Sequence, residues 1–385
     1  MKKGRNLRSV NTDGGVNLQF KLLSAIGIII IVSGHCYHGG MELAYNWFPP
    51  YSYNLALFVF ISGYFYKTDY EANVGKYIWK RTKRLLIPAY LWNIFYGGMV
   101  AFLGLFGFTI GAKPDLYNLF VMPFVDGEAF QYNLGSWFVY PLFLVCIINV
   151  LFRKFLKLIH LDNEFIVLIV YLAIGMIGIN TALENPTAIN GIVKLLVRTM
   201  FFLPCYEFGR FYKAVLEKKD TFNNVAYFAI IFAVQLILLT FCKDLEYTSS
   251  SFTKFNNGFI IPYISSITAI AFWLRVSRLL VPAIGNSKLV RLIADNTYGI
   301  MVNQLVGFMC LKFVFYGLSR ITSGALFGDF NVASFKSSIW YYYLPNGLQQ
   351  WAFVYLIFGL FVPILISIIL NKICHIAHSS IFKKV

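Results

Sequence analysis

The sequence predicts an all-α, polytopic integral membrane protein with about ten transmembrane helices and both termini in the cytoplasm. Three observations predict this fold class. Of the 385 residues, 58% are apolar and only 13% are charged, whereas soluble globular chains carry about 25% charged residues. Several apolar runs approach the roughly 20 residues that span a bilayer. Basic residues are concentrated in alternate loops between these runs, as in other membrane proteins.

Ten apolar runs along the chain are candidate spans, of which the second and fifth are short. The first run is followed by further runs and by no small-residue cleavage site, so we expect it to be retained rather than removed as a signal peptide. We therefore expect one membrane domain over residues 1–385, with cytoplasmic tails at 1–18 and 371–385. The predicted spans are 20–37, 51–66, 85–108, 134–152, 165–179, 191–212, 224–242, 258–274, 296–316 and 349–370.

The charges of the loops predict the orientation. If the N-terminus is cytoplasmic, the inside segments hold 24 Lys and Arg residues and the outside segments hold five. This bias predicts that both termini lie inside. It also explains the net charge of +16. Because the basic residues are spread over six inner segments, we expect membrane lipids and no nucleic acid as partners.

The six cysteines are scattered along the chain, with no Cys-x-x-Cys pair and no short-range cluster. Most fall in or beside apolar runs, where a free cysteine behaves as a small hydrophobic residue. The sequence therefore predicts neither a disulfide framework nor a metal site. It does not specify an oligomeric state.

A basic segment at residues 76–84 joins the second and third predicted spans on the cytoplasmic side. It interleaves lysine and arginine with Tyr77, Ile78 and Trp79. Such a segment is typical of an interfacial helix on anionic lipid, which is the interpretation that the residues alone favour. Guanidinium groups also bind phosphate through paired hydrogen bonds, so the alternative is a binding site for a phosphorylated cytoplasmic ligand.

Ionisable side chains within spans are costly and mark candidate functional sites. His35 and His38 are three residues apart at the outer end of the first span, among glycines that permit close approach of a ligand. Lys21 and Ser24 share the helix face of His35, because 14 and 11 residues are close to whole numbers of turns. We expect these side chains to form a polar stripe that lines a path through the membrane.

Four further ionisable residues lie within later spans. Lys194 and Lys312 are near outer ends, and we expect their side chains to extend to the interface. Arg198 and Glu207 are nine residues apart in the sixth span. They should face opposite sides of the helix and not pair with each other.

Small and aromatic residues mark two further features. Ser62 and Gly63 in the second span are typical of a close helix–helix contact. The outer segment 45–53 is rich in tyrosine and tryptophan. It would suit a membrane-interface belt or the face of a sugar ring equally well.

Five stretches carry a resemblance to a known family. The first span ends in IIIIVSGH at His35, and the second contains LFVFISGYFY. The next loop reads KRTKRLLIPAY and includes Arg81 and Arg84, the fourth span contains SWFVYPLF with Trp137, and the ninth contains NTYGIMVNQ. In order and spacing, over essentially the whole chain, they resemble the membrane-bound acyltransferase-3 family.

The resemblance implies an integral membrane enzyme of a bacterial plasma membrane. Such enzymes move an acetyl or other short acyl group from cytoplasmic acyl-CoA, most simply acetyl-CoA, to a hydroxyl or amine of a cell-surface or lipid-linked glycan. His35 would act as general base, or would itself carry the acyl group. No metal is implied.

The resemblance also assigns site residues. Donor-binding residues would be Lys21, Ser24, Arg81 and Arg84, and the chamber for the acceptor would be formed by His38, Ser62, Tyr64, Trp137 and Asn303. Two positions depart from the family pattern. Ser24 stands where a basic residue is expected, with Lys21 one turn earlier, and Asn303 stands where a second histidine is expected.

Three alternatives remain at this stage. A transporter or exporter of a glycan or lipid intermediate is compatible with ten spans and with Arg198 and Glu207, although no matched pair of Gly/Pro-broken spans is present. A second family of membrane acyltransferases with an intramembrane histidine fits the position of His35 poorly. A nonenzymatic membrane sensor is the third alternative.

Overall fold

The computed structural model describes residues 12–13, 16–36, 47–127, 129–185, 189–247, 253–322, 324–325 and 327–382. In these residues the fold is all-α, as predicted, apart from one antiparallel ribbon of β1 (Thr12–Asp13) and β2 (Val16–Asn17). The helices are α1 Leu18–His35, α2 Asn54–Tyr64, α3 Val74–Arg81, α4 Ile87–Gly104, α5 Leu116–Phe120, α6 Met122–Val125, α7 Val139–Leu158, α8 Glu164–Glu184, α9 Gly191–Phe211, α10 Asn224–Phe241, α11 Ile261–Ile284, α12 Lys288–Asp295, α13 Thr297–Ile321, α14 Val332–Ser337 and α15 Trp351–Phe382.

Short 3-10 and π turns connect these helices. 3-10 turns occur at Pro50–Ser52, Thr68–Glu71, Gln131–Phe138 and Pro345–Gly347. A π turn at Thr82–Leu86 joins α3 to α4, and a second at Tyr212–Leu216 extends α9. Such turns interrupt helices without breaking them and are frequent near functional sites.

Each of the ten predicted spans coincides with a helix, and eight described segments are long and apolar enough to cross a membrane. The polytopic fold is therefore confirmed. Two predicted spans are not among these eight segments. They correspond to α2, which has only 11 residues, and to α9, which carries four Lys, Arg and Glu residues. The fifth span is not short: α8 has 21 residues, because Asn163 caps its N-terminus and the helix continues past the polar residues Asn180 and Thr181.

The helices α2 and α9 cross at an unusually short distance, and two glycines permit it. A Cβ atom added to Gly63 would lie 1.8 Å from the carbonyl oxygen of Tyr206, and one added to Gly209 would lie 1.9 Å from that of Phe60. Only residues without side chains fit this contact. The packing interpretation of the Ser62–Gly63 pair is confirmed.

A buried ion cluster joins α7, α8 and α9 near the face that carries the basic loops, hereafter the basic face. The Arg153 guanidinium donates to Glu207 and to Glu164, each at 2.7 Å, and Arg210 reaches Glu164 at 2.9 Å. Arg153 and Glu207 are buried. As predicted, Glu207 does not pair with Arg198. The cluster explains how α9 keeps an acidic side chain within the membrane domain.

Replacing Arg153 with methionine should destabilise the protein by about 3–5 kcal/mol, because the Glu207 carboxylate would remain buried without its cation. Thermal unfolding in detergent micelles measures the change. Lys154→Met is the matched control, since the neighbouring Lys154 side chain is exposed. Equal melting temperatures for the two variants would contradict this role of the cluster.

Candidate functional site

One face of α1 lines two cavities that lie end to end along the helix. Ser24, Ile28 and Ile31 line the smaller cavity, and Ile31 and His35 line the larger one. The spacing of these four residues follows the helical repeat and keeps them on one face. Ser24 and His35 of the predicted stripe thus share a face that lines the two cavities, whereas Lys21 lines neither. Two isoleucines make this face apolar between Ser24 and His35.

The outer cavity, at the His35 end, has a volume of about 660 Å³. Its walls come from α1, α13, the Gln131–Phe138 turn and segments near residues 51–55, 109–112 and 337–340. The polar side chains on its walls include His35, Tyr51, Asn54, Gln131, Gln304 and Ser337. This mixed lining suits a ligand that carries hydroxyl groups.

The inner cavity, of about 250 Å³, lies on the side of the basic face. The residues with hydroxyl groups on its walls are Ser24, Ser62, Thr297 and Tyr298. The two serine hydroxyls donate to backbone carbonyls four residues earlier, at 2.8 and 3.0 Å. Ile31, Phe138 and Met301 line both cavities. These three side chains separate the inner cavity from the outer one.

Gln304 fixes the orientation and the tautomer of His35. The Gln304 amide nitrogen donates to the Met301 carbonyl at 3.2 Å, so its Oε1 faces His35 Nδ1, also at 3.2 Å. Because Oε1 can only accept, Nδ1 carries the proton and Nε2 keeps its lone pair. This assignment leaves Nε2 of His35, a residue on the outer-cavity wall, as a potential base.

Two tyrosines hold the C-terminal end of α1 in place. Tyr51 donates to the carbonyl oxygen of Gly34 at 3.2 Å, and Tyr342 donates to that of His35. His35 thus lies at the negative end of the helix dipole, which favours an imidazolium formed during proton transfer.

The Cys36 thiol, next to His35, is buried, and it donates to the Ser33 carbonyl at 3.2 Å.

Aromatic side chains surround His35 in the outer cavity. The Trp340 ring centroid lies 6.1 Å from that of His35, and the Tyr51 centroid lies 6.4 Å away. Trp137, one of the predicted chamber residues, also lines the cavity, and the Arg198 guanidinium stacks on its ring at 3.8 Å. Arg198 is therefore buried behind the cavity wall and supports the Trp137 ring.

The structure places the predicted donor-binding residues in different surroundings. Arg84 is exposed on the π turn, and the following residue, Leu85, lines the inner cavity. Arg81 donates to the Tyr77 hydroxyl at 3.0 Å and lies against its ring. Lys21 forms an ion pair with Asp295 of α12 and is not among the residues that line either cavity. Of the predicted donor-binding residues, Arg84 is thus the one with an exposed guanidinium, and it directly precedes a residue that lines the inner cavity.

Three predicted chamber residues do not line the outer cavity: Ser62 lines the inner cavity instead, and Tyr64 and Asn303 line neither. Tyr64, at the basic end of α2, donates to Glu217 at 2.7 Å and stacks on Phe20. Asn303 is buried on another face of α13, where it accepts from Tyr96 and donates to the Gly299 carbonyl at 2.9 Å. His38 lies outside the described residues.

The two lysines expected to extend to the interface are instead buried. Lys194 forms an ion pair with Asp126 at 3.1 Å. Lys312 is fully buried and donates to the Ile339 carbonyl at 2.7 Å, beneath the Tyr342 ring. Lys312 thereby anchors residues 337–342, the outer strap, whose Ser337 and Trp340 line the outer cavity.

Sequence reasoning missed the residues that contact His35 from distant parts of the chain. Gln304 follows Asn303 directly. Because consecutive helical residues point in different directions, the Gln304 side chain points toward α1. A polar pair at the family's second histidine position was the signal that could have identified it. Nothing local in the sequence indicated Trp340 or Tyr342.

Comparison with known proteins agrees with this arrangement. A protein-family model described as an acyltransferase domain matches residues 17–372, nearly the whole chain. The chain belongs to the acyltransferase-3 family. Comparison with curated proteins and with solved structures gave no match. Family membership establishes a multi-pass membrane acyltransferase, and the residues around His35 are its candidate active site.

Gln304→Leu should lower kcat for acyl transfer by up to about tenfold, since a hydrogen bond of about 0.5–1.5 kcal/mol that orients the base is lost. Acyl transfer by purified protein measures the effect. Gln304→Glu, which keeps an acceptor beside Nδ1, should retain more activity than the leucine variant. Full activity of the leucine variant would exclude Gln304 from positioning His35.

Proposed function

We propose that this acyltransferase moves an acetyl group from cytoplasmic acetyl-CoA to a hydroxyl group of a cell-surface or lipid-linked glycan, with His35 as general base. One observation carries the proposal. His35 lines the outer cavity, which has a polar, aromatic lining and abuts an inner cavity on the side of the basic face. The acceptor and the donor would therefore reach His35 through different cavities.

The donor would enter from the basic face. The phosphates of CoA would meet the Arg84 guanidinium, because arginine and phosphate form strong charge-assisted hydrogen bonds. The acylated arm would extend through the inner cavity past Ser24 and Ser62. Movement of the Ile31, Phe138 and Met301 side chains would then admit the thioester to the neighbourhood of His35.

The acceptor would occupy the outer cavity. Trp340 offers an exposed indole face close to the imidazole, with 38% of its surface accessible. Flat aromatic faces are suited to the apolar face of a sugar ring, and Asn54, Gln131 and Ser337 supply hydrogen-bonding groups around it. These features favour a glycan over a purely apolar acceptor.

The chemical step would need only the groups already described. Nε2 of His35 accepts the proton of the acceptor hydroxyl as its oxygen attacks the thioester carbonyl carbon. The carbon–sulfur bond then breaks, and the CoA sulfur takes the proton from the imidazolium. The Gln304 hydrogen bond keeps Nδ1 protonated throughout, and the C-terminus of α1 stabilises the transient positive charge.

His35→Ala should lower acyl transfer by about 10²–10⁴-fold, the range for loss of a general base. The rate of transfer of labelled acetyl from acetyl-CoA to membrane glycans measures this loss. The variants are compared at equal amounts of protein in the membrane. His160→Ala is the matched control, because His160 is exposed on a turn near the basic face. Wild-type transfer by the His35 variant would remove His35 from the mechanism.

Arg84→Ala should raise KM for acetyl-CoA by about tenfold with little change in kcat, because a phosphate contact is lost and the base is untouched. Use of acetyl-pantetheine, which lacks the nucleotide phosphates, should be unchanged. Lys288→Ala, at another exposed position on the basic face, is the control. An unchanged KM for acetyl-CoA would place the donor phosphates elsewhere.

A further inference from the structure

A third cavity, separate from the two beside His35, lies close to the basic face between α9, α10 and α11. Its volume is about 460 Å³, and its walls are almost entirely apolar. They include Phe60, Phe208, Tyr227, Ile270, Ala271 and Leu274. Phe60 of α2 faces this cavity, whereas Ser62 faces the inner cavity. The helix α2 thus separates it from the proposed donor path.

The mouth of this cavity is positively charged. Lys219 and Asp220 line it where α9 ends and α10 begins. Asp220 is the carboxylate partner of both Arg275 and Arg278, the latter at 3.1 Å. Three cations therefore share this mouth with one carboxylate, and the Lys219 and Arg278 side chains remain partly accessible. The charge at the mouth complements an anion.

The walls and the location indicate what occupies the cavity. Phe222, Leu216 and Ile267, which also line it, are 60%, 44% and 41% exposed on the protein surface. Within a bilayer such apolar surface faces the hydrocarbon layer, so the acyl chain of a lipid can pack against it. The basic mouth lies at helix ends, where lipid headgroups are found.

We propose that this cavity binds an anionic phospholipid of the leaflet at the basic face. One acyl chain occupies the cavity along Ile270 and Ala271, and the phosphate contacts Lys219 and Arg278. The site goes beyond the proposed acyl transfer, because it shares no lining residue with the two cavities beside His35. Its occupant stabilises the junction of α9, α10 and α11 rather than taking part in the reaction.

Native mass spectrometry of the full-length protein in detergent tests the proposal, with dioleoyl phosphatidylglycerol and dioleoyl phosphatidylcholine as probes. The wild-type protein should bind one phosphatidylglycerol at least several-fold more tightly than phosphatidylcholine. Ala271→Trp fills the cavity and should weaken phosphatidylglycerol binding about tenfold. Lys219→Gln should reduce the preference for the anionic lipid, whereas Lys218→Gln, at an exposed neighbouring lysine, should leave it unchanged.

Lys219 is exposed, so its variant should fold even if tryptophan at position 271 prevents folding. Equal binding of the two lipids by wild-type protein would overturn the assignment of the headgroup. Unchanged phosphatidylglycerol binding by Ala271→Trp would overturn the assignment of a lipid acyl chain to this cavity. Equal loss in the Lys218 and Lys219 variants would show attraction to general surface charge and would also overturn the proposal.

Discussion

The hydrogen bond between Gln304 and His35 is the interaction on which the rest of the candidate site depends. It joins α13 to α1 and assigns the proton of the imidazole to Nδ1, so that Nε2 keeps its lone pair. The Met301 carbonyl orients the Gln304 amide, and Met301 also separates the two cavities. The position of the His35 imidazole and the boundary between the inner and outer cavities are thus set by one turn of α13.

The membrane domain keeps its charges by pairing them inside the bundle. Arg153 with Glu207, Lys194 with Asp126 and Lys312 with a backbone carbonyl are all ties between elements distant in sequence. Each burial is costly alone, and each partner offsets part of that cost. The same principle brings Arg198 onto Trp137, where a buried cation supports a wall of the outer cavity. Charge burial here is part of the framework that positions the site.

Much of the fold follows from local properties of the sequence. Apolar length predicts the long helices, and the repeat of α1 predicts that Ser24 and His35 share a face. Pairing partners depend on which helices become neighbours, a three-dimensional property, so Asp295 beside Lys21 and Glu217 beside Tyr64 could not be foreseen. The motif predicts Asn303 at the site, whereas the rotation of α13 presents Gln304 to His35 instead. The outer strap brings Trp340 to His35 across some 300 residues of chain, with no local pattern to indicate it.

The central claim is that an acyl donor reaches His35 from the basic face through the inner cavity. A cryo-electron microscopy structure of the His35→Ala protein with acetyl-CoA tests it most directly, because loss of the base leaves the thioester intact. The account predicts density for the nucleotide phosphates beside Arg84 and for the arm between Ser24 and Ser62, with the acetyl group near position 35. Donor density confined to the outer cavity, or to a surface remote from α1, would contradict it.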